Sequence, residues 1–127
     1  MKFKFLLLFL FGLVMVSCGD DEPDTPEVCD TLQETIIGIW ESDENPGTTV
    51  EFTSGGRVVD DSFLFVDDDF PAGETVNKIY NFEGTDRIEF TYSSGLNFRS
   101  RTGTIQDFSC ETFRIAVNSS VLNFTKQ

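Results

Sequence analysis

From residue 37 onward, apolar and polar positions alternate with a period of two. Val50 and Phe52 fall on one face, and Glu51 and Thr53 on the other. The cleanest stretch is 87–92, with Ile88, Phe90 and Tyr92 inward and Arg87, Glu89 and Thr91 outward. Phe113, Ile115 and Val117 repeat the pattern within 110–117. Side chains of a strand point to opposite faces in turn, so this period marks strands with one buried face. The pattern predicts strands over 37–42, 48–53, 57–60, 63–66, 75–82, 87–92, 96–101, 104–108, 110–117 and 121–125. The pair 57–60 and 63–66 reads as one bent strand or as two. In 96–101, Leu96 and Phe98 are expected inward and Asn97, Arg99 and Arg101 outward, with Gly103 marking a bulge. Turn residues punctuate the strands: Ser54-Gly55-Gly56, Glu83-Gly84-Thr85, Ser93-Ser94-Gly95 and Asn118-Ser119-Ser120. Ahead of them, Thr31-Leu32-Gln33-Glu34 fits a capping box followed by a turn or so of helix. About eight or nine short strands at roughly ten-residue spacing describe an all-β meander, a sandwich or a barrel. The one-sided alternation makes it antiparallel.

The first residues follow another pattern. Met1-Lys2-Phe3-Lys4 is a short positive start, and 5–16 is apolar except for Gly12. That run falls short of the roughly 20 residues a bilayer span needs, and it reads as a secretory signal. Its end, Met15-Val16-Ser17-Cys18-Gly19, resembles a bacterial lipobox, with methionine where leucine is usual. The resemblance implies cleavage before Cys18 and acylation, palmitate included, of that cysteine. The segment 19–27 holds five acids, two prolines and no apolar side chain. It cannot bury surface to offset its ordering entropy, so it is expected to be a disordered tether. The organisation expected is a signal peptide over 1–17, an acidic tether over 18–28 and one domain over 29–127. Asp20, Asp21 and Glu22 read either as solvated spacer or as a sorting signal. As an acidic cluster just after the lipid cysteine, they resemble the export signal of surface-exposed lipoproteins in some Gram-negative bacteria. That likeness implies a location on the outer face of the outer membrane.

Charge narrows the partners. Nine Lys and Arg against 22 Asp and Glu give a net charge of -13. Removing the signal takes two lysines and no acid, leaving 7 - 22 = -15. Phosphate backbones require clustered cations, so nucleic acid is not an expected partner. Histidine is absent, which excludes Ser-His-Asp and Cys-His chemistry and a histidine zinc site. No cofactor and no catalytic site are legible, and a non-enzymatic role is expected. Asp67-Asp68-Asp69, near Asp60 and Asp61, is the densest acidic patch of the domain and a weak calcium candidate. It lacks the fixed glycine and distal glutamate of an EF-hand loop, so a solvated loop is the preferred reading. Cys29 and Cys110 are the remaining cysteines, and an even pair in a small exported domain forms a disulfide. Closing a loop that long contributes about 4 kcal/mol in the chain-entropy model. Ten of the 14 phenylalanines lie beyond the signal, enough for an aromatic core.

Ile37-Gly38-Ile39-Trp40-Glu41 carries a Gly-x-Trp at the start of the first strand, after a short helix. It resembles the opening of the lipocalin and lipocalin-like families. Val50-Glu51-Phe52-Thr53-Ser54-Gly55-Gly56-Arg57 and the finish Leu122-Asn123-Phe124-Thr125-Lys126 resemble small bacterial lipocalin-like lipoproteins. The likeness covers roughly residues 30–127 and implies an eight-stranded up-and-down barrel. It further implies that Gly38 and Trp40 plug one end, with a late-strand arginine over the tryptophan. Arg114, Arg99 and Arg101 are all candidates, and the sequence does not choose among them. Such barrels hold one small ligand; an interior filled by its own phenylalanines is the other reading. Thr85-Asp86 matches part of a second lipocalin motif only by coincidence, since Arg87 replaces its aromatic. The function expected is a membrane-anchored envelope lipoprotein that binds or scaffolds a hydrophobic small molecule or accessory subunit. The alternative is an acidic protein-binding lipoprotein, such as an inhibitor of a cationic enzyme of the lysozyme type.

Overall fold

A computed structural model describes residues 29–67 and 69–127. The signal 1–17, the lipidation candidate Cys18, the tether 18–28 with Asp20, Asp21 and Glu22, and Asp68 lie outside the described residues. A helical turn, α1 (Leu32–Thr35), precedes eight strands: β1 (Gly38–Ser42), β2 (Thr49–Phe52), β3 (Val58–Val59), β4 (Asn77–Glu83), β5 (Arg87–Ser94), β6 (Asn97–Phe108), β7 (Thr112–Val117) and β8 (Ser120–Lys126). They form one antiparallel sheet in the order β3-β2-β1-β8-β7-β6-β5-β4. Every sequential pair except β3–β4 is laddered, and β8 returns to β1. The remaining seam is drawn together by an antiparallel bridge between Arg57 and Ile79 and by Tyr80 N–H donating to the Gly56 carbonyl at 2.9 Å. The result is a nearly closed up-and-down barrel of lipocalin-like topology. Among the described residues no helix is long and apolar enough to cross a membrane.

The alternation seen in the sequence becomes the core. Ile88, Phe90 and Tyr92 of β5 are fully buried, as are Ile115 and its neighbours Phe113 and Val117 of β7. Val50 and Phe52 of β2, Trp40 of β1 and Phe124 of β8 complete the inner layer. Each buried phenylalanine contributes about 1.5–3 kcal/mol by leaving water. The up-and-down course sorts the connections to two ends. One end holds α1 and the turns after β2, β4 and β6; the other holds the loops after β1, β3, β5 and β7.

Four expectations are corrected. The segment 63–66 is not a strand but part of the long β3–β4 connection. Its four apolar residues run without alternation; Phe63 and Leu64 are half-buried and Phe65 and Val66 fully buried, unlike a strand with one wet face. Leu96 and Phe98 do not face inward; they are 104% and 64% exposed. The hairpin turns on Gly95 and Leu96 alone, so Ser94 pairs with Asn97, Ser93 with Phe98 and Tyr92 with Arg99. Starting the strand one residue later than expected flips every side chain to the other face. Arg99 and Arg101 therefore share the inner face with Tyr92 and Phe90. Gly103 is not a bulge, since it pairs in register with Ile88 and Val117; the irregularity lies between Ile105 and Asp107. Glycine is needed there because an added Cβ would stand 2.4 Å from Ile115 Cδ1. Finally, the capping box does not close. Thr31 Oγ1 bonds the Glu34 carboxylate at 3.2 Å, so both side chains meet each other rather than the backbone.

Candidate functional site

The helical end is closed by Trp40. Its indole N–H donates to the Ile36 carbonyl at 2.7 Å, and its ring meets Phe113 edge-on at 4.8 Å. Leu32, Ile36 and Phe108 pack around it with no room for a water. Gly38 takes φ +131°, a conformation that L side chains rarely adopt. An added Cβ would also press on Lys126 Cε at 3.3 Å. That space matters because Lys126 Nζ stands 5.2 Å from the Trp40 ring and donates to the Thr35 carbonyl at 3.0 Å. The cation over the tryptophan is thus a lysine of β8, not one of the three arginine candidates. Arg99 and Arg101 are carried by register toward the opposite end, and Arg114 faces outward beside Asn123. Cys29 and Cys110 form the expected disulfide, tying the strand entry to the β6–β7 turn with Cα atoms 5.2 Å apart. A cleft of about 420 Å³ lies beside it, lined by Asp30, Glu34, Glu111 and Lys126 with both cysteines.

The other end is closed by the β3–β4 connection. Asp60 is fully buried. Its Oδ1 accepts the Leu64 N–H at 3.0 Å, and its Oδ2 accepts the Phe65 N–H at 3.3 Å and the Tyr92 hydroxyl at 2.6 Å. Lys78 Nζ donates to the Asp60 carbonyl and lies 3.5 Å from the Phe63 ring centroid. A buried carboxylate is tolerated only when its oxygens are satisfied, and these donors satisfy them. Burial, the adjacent Asp60 charge and the hydrogen bond to it all push the Tyr92 phenol far above its usual range. It stays a neutral donor. The tight turn runs through Phe63 at φ +52°, which is strained for an aromatic residue.

This clamp delivers Phe65 into the barrel. Its ring stacks on Phe90 at 4.2 Å and 5°, flanked by Phe52 at 5.8 Å and Phe124 at 5.7 Å. Phe113 and Phe124 stack beneath at 4.7 Å. Phe65 and Val66 are each 1% exposed, so the connection occupies the interior rather than roofing it. A closed barrel is an architecture able to enclose a hydrophobic ligand, and here the chain's own aromatic takes that space. Outside this plug, a cleft of about 310 Å³ runs along the β3–β4 seam, with Val58, Phe63 and Val76 beside Arg57, Asp61, Glu74 and Lys78.

Of the acidic triplet, Asp67 and Asp69 are described and Asp68 lies outside the described residues. Asp67 pairs with Arg101 at 3.4 Å, and Asp69 is exposed. Among the described residues no three His, Cys, Asp or Glu side chains are placed to hold a metal ion. Sequence reasoning set Asp60 near the acidic patch, Phe65 in a strand and Lys126 in the closing motif, and gave none of them a part in closing the barrel. The one visible signal was the unbroken Phe63-Leu64-Phe65-Val66 run directly after two acids. No family model, curated protein or solved structure matches the chain.

Proposed function

We propose that this chain is a lipid-anchored lipoprotein of a Gram-negative envelope, acting as a non-catalytic binding or scaffolding module. Its outer surface, not its interior, meets the partner. The observation that carries the reading is the Phe65 plug: a ring stacked on Phe90 and flanked by Phe52 and Phe124 leaves the barrel filled by its own chain. A net charge of 7 - 22 = -15 after loss of the signal favours a basic protein partner, because opposite charge steers encounter and rejects acidic competitors. The lipobox-like Val16-Ser17-Cys18 and the acidic Asp20, Asp21 and Glu22 support an anchored, surface-exposed location.

Native mass spectrometry of the processed protein, extracted from membranes, tests this. The expected spectrum is the acylated chain less the two hydrogens of the disulfide, with no further mass. A non-covalent apolar cargo that persists at high salt would show that the interior carries the function. The anchor is tested separately by palmitate labelling, which Cys18→Ala should abolish.

A further inference from the structure

The plug end carries the largest exposed apolar feature among the described residues. Leu96 sits in the two-residue β5–β6 turn and is 104% exposed; Phe98, one pair below, is 64% exposed. The other exposed large apolar residues reach at most 46%. The hairpin does not need these residues for its own core, because register sets Phe98 on the outer face opposite Ser93. A neighbouring leucine and phenylalanine held in water on a rigid hairpin resemble an interface anchor more than a folding element.

Carboxylates line the inner side of this hairpin. Ser94, the last β5 residue before the turn, donates its hydroxyl to Glu74. Arg101 of β6 holds Asp67. Glu74 and Asp67 are thus tied to the inner side of the same hairpin, opposite the face that carries Phe98, and Asp69 follows Asp67 in the exposed loop. The cations at this end are Arg101, paired with Asp67, Arg99, which donates to the Phe98 carbonyl, and Lys78, which donates to the Asp60 carbonyl and lines the cleft with Glu74. An apolar tip bordered on one side by charge suits a protein docking site.

We propose that the Leu96–Phe98 tip docks into an apolar pocket on a basic protein, with Asp67, Asp69 and Glu74 facing the cations around that pocket. The inference rests on the outer-surface reading above and names its surface. Charge selects the occupant. Two processed copies each carrying 7 - 22 = -15 repel, and an anionic lipid surface repels the acidic side of the hairpin as well. The tip also lies at the end opposite Cys29, where the chain enters the fold.

The test is site-specific photo-cross-linking in the producing cell, using the full chain with p-benzoylphenylalanine at position 96, and at position 59 for comparison. The expected result is an adduct from position 96 with a protein of basic pI. Raising salt from about 0.1 M to about 1 M, which shortens the screening length from roughly 10 Å to roughly 3 Å, should cut the adduct at least about tenfold. Phe98→Ser should do the same with an unchanged melting temperature, because the side chain is exposed. Asp69→Asn with Glu74→Gln should weaken capture and its salt dependence together. Adducts with lipid alone, with a second copy alone, or no adduct from position 96 overturn the proposal. If position 59 captures a protein and position 96 does not, the tip is wrong while the outer-surface reading stands. A cargo retained in the native mass spectrum removes the reading itself.

Discussion

The two ends of the barrel are closed by different means. At the helical end, Trp40 is held by a residue four positions away, by the stem of Lys126 and by a disulfide that spans 81 positions. At the plug end no covalent tie exists among the described residues. One buried carboxylate, Asp60, gathers two backbone N–H groups and a tyrosine hydroxyl, and so holds Phe65 among the core rings. The helical end depends on packing and a cross-link. The plug end depends on a charge that is stable only while its donors stay in place. A barrel with a two-residue β3 has little ladder at its seam, and the folded-in connection compensates for that.

The sharpest way to break this contrast is Asp60→Ala. It leaves the Tyr92 hydroxyl and the Leu64 and Phe65 N–H groups without their acceptor, and a loss of roughly 3–5 kcal/mol is expected. Urea unfolding measures it. The single tryptophan lies at the helical end and reports separately on that end. In the variant, binding of an apolar dye should rise at urea concentrations where Trp40 emission is still native. Simultaneous loss of both signals would mean the ends are one cooperative unit. Next in size is the paired Cys29→Ser and Cys110→Ser variant, expected to lose about 2–4 kcal/mol. Here the order of events should reverse, with Trp40 emission shifting at or before dye uptake.

How much of this was legible follows the same division. Gly38 and Trp40 sit together in sequence, their partners in α1 are within a few residues, and two cysteines announce their pairing; the helical end could be read. The strands of one-sided alternation, 87–92 and 110–117, were also plain. The plug end could not be read because its logic is non-local. Asp60 looks like any acid of an acidic loop until Tyr92, 32 positions on, supplies its donor. The fate of Leu96 and Phe98 turned on whether the hairpin loop has two residues or three. Ser93-Ser94-Gly95 offers turn residues for either, and period-two patterning cannot discriminate when arginines occupy the inner face. Lys126 was hidden for another reason: a terminal lysine is ordinarily solvated, and only its stem packing over Gly38 makes it part of the lid.

Between the two ends, Gly103→Ala probes the shared wall. The new Cβ would meet Ile115 Cδ1 at 2.4 Å, Ile115 Cγ1 at 2.9 Å and Val117 Cγ2 at 3.0 Å. Overpacking of this kind costs about 1–3 kcal/mol. Both probes should then shift together, since β6 contacts neither closure alone. Rescue by Ile115→Val, which removes the most crowded methyl, would tie the loss to that contact.

The smallest effect separates the ends by pH. The chain has two tyrosines. Tyr80 donates to the Thr53 carbonyl at 2.7 Å, in the turn at the helical end, and Tyr92 donates to Asp60. Burial raises the Tyr80 phenol above its ordinary value of 10.0. Tyr92 is raised by burial first, then by the Asp60 charge and the hydrogen bond to it. Above pH 10 the unfolded chain releases protons that the folded chain retains. The stabilising contribution is therefore complete below the unfolded value and is lost as pH climbs above it. One such group lowers stability by about 1.4 kcal/mol per pH unit once its unfolded form has ionised. Tyrosinate absorbance should accordingly appear together with unfolding, not before it. Tyr92→Phe should relieve the alkaline loss over a wider pH range than Tyr80→Phe, because its shift is the larger. At neutral pH it should also cost more, roughly 1.5–3 kcal/mol for a hydrogen bond to a charged acceptor against about 1 kcal/mol for one to a carbonyl. Relief over the same pH range in both variants would show that the Asp60 carboxylate does not help Tyr92 keep its proton.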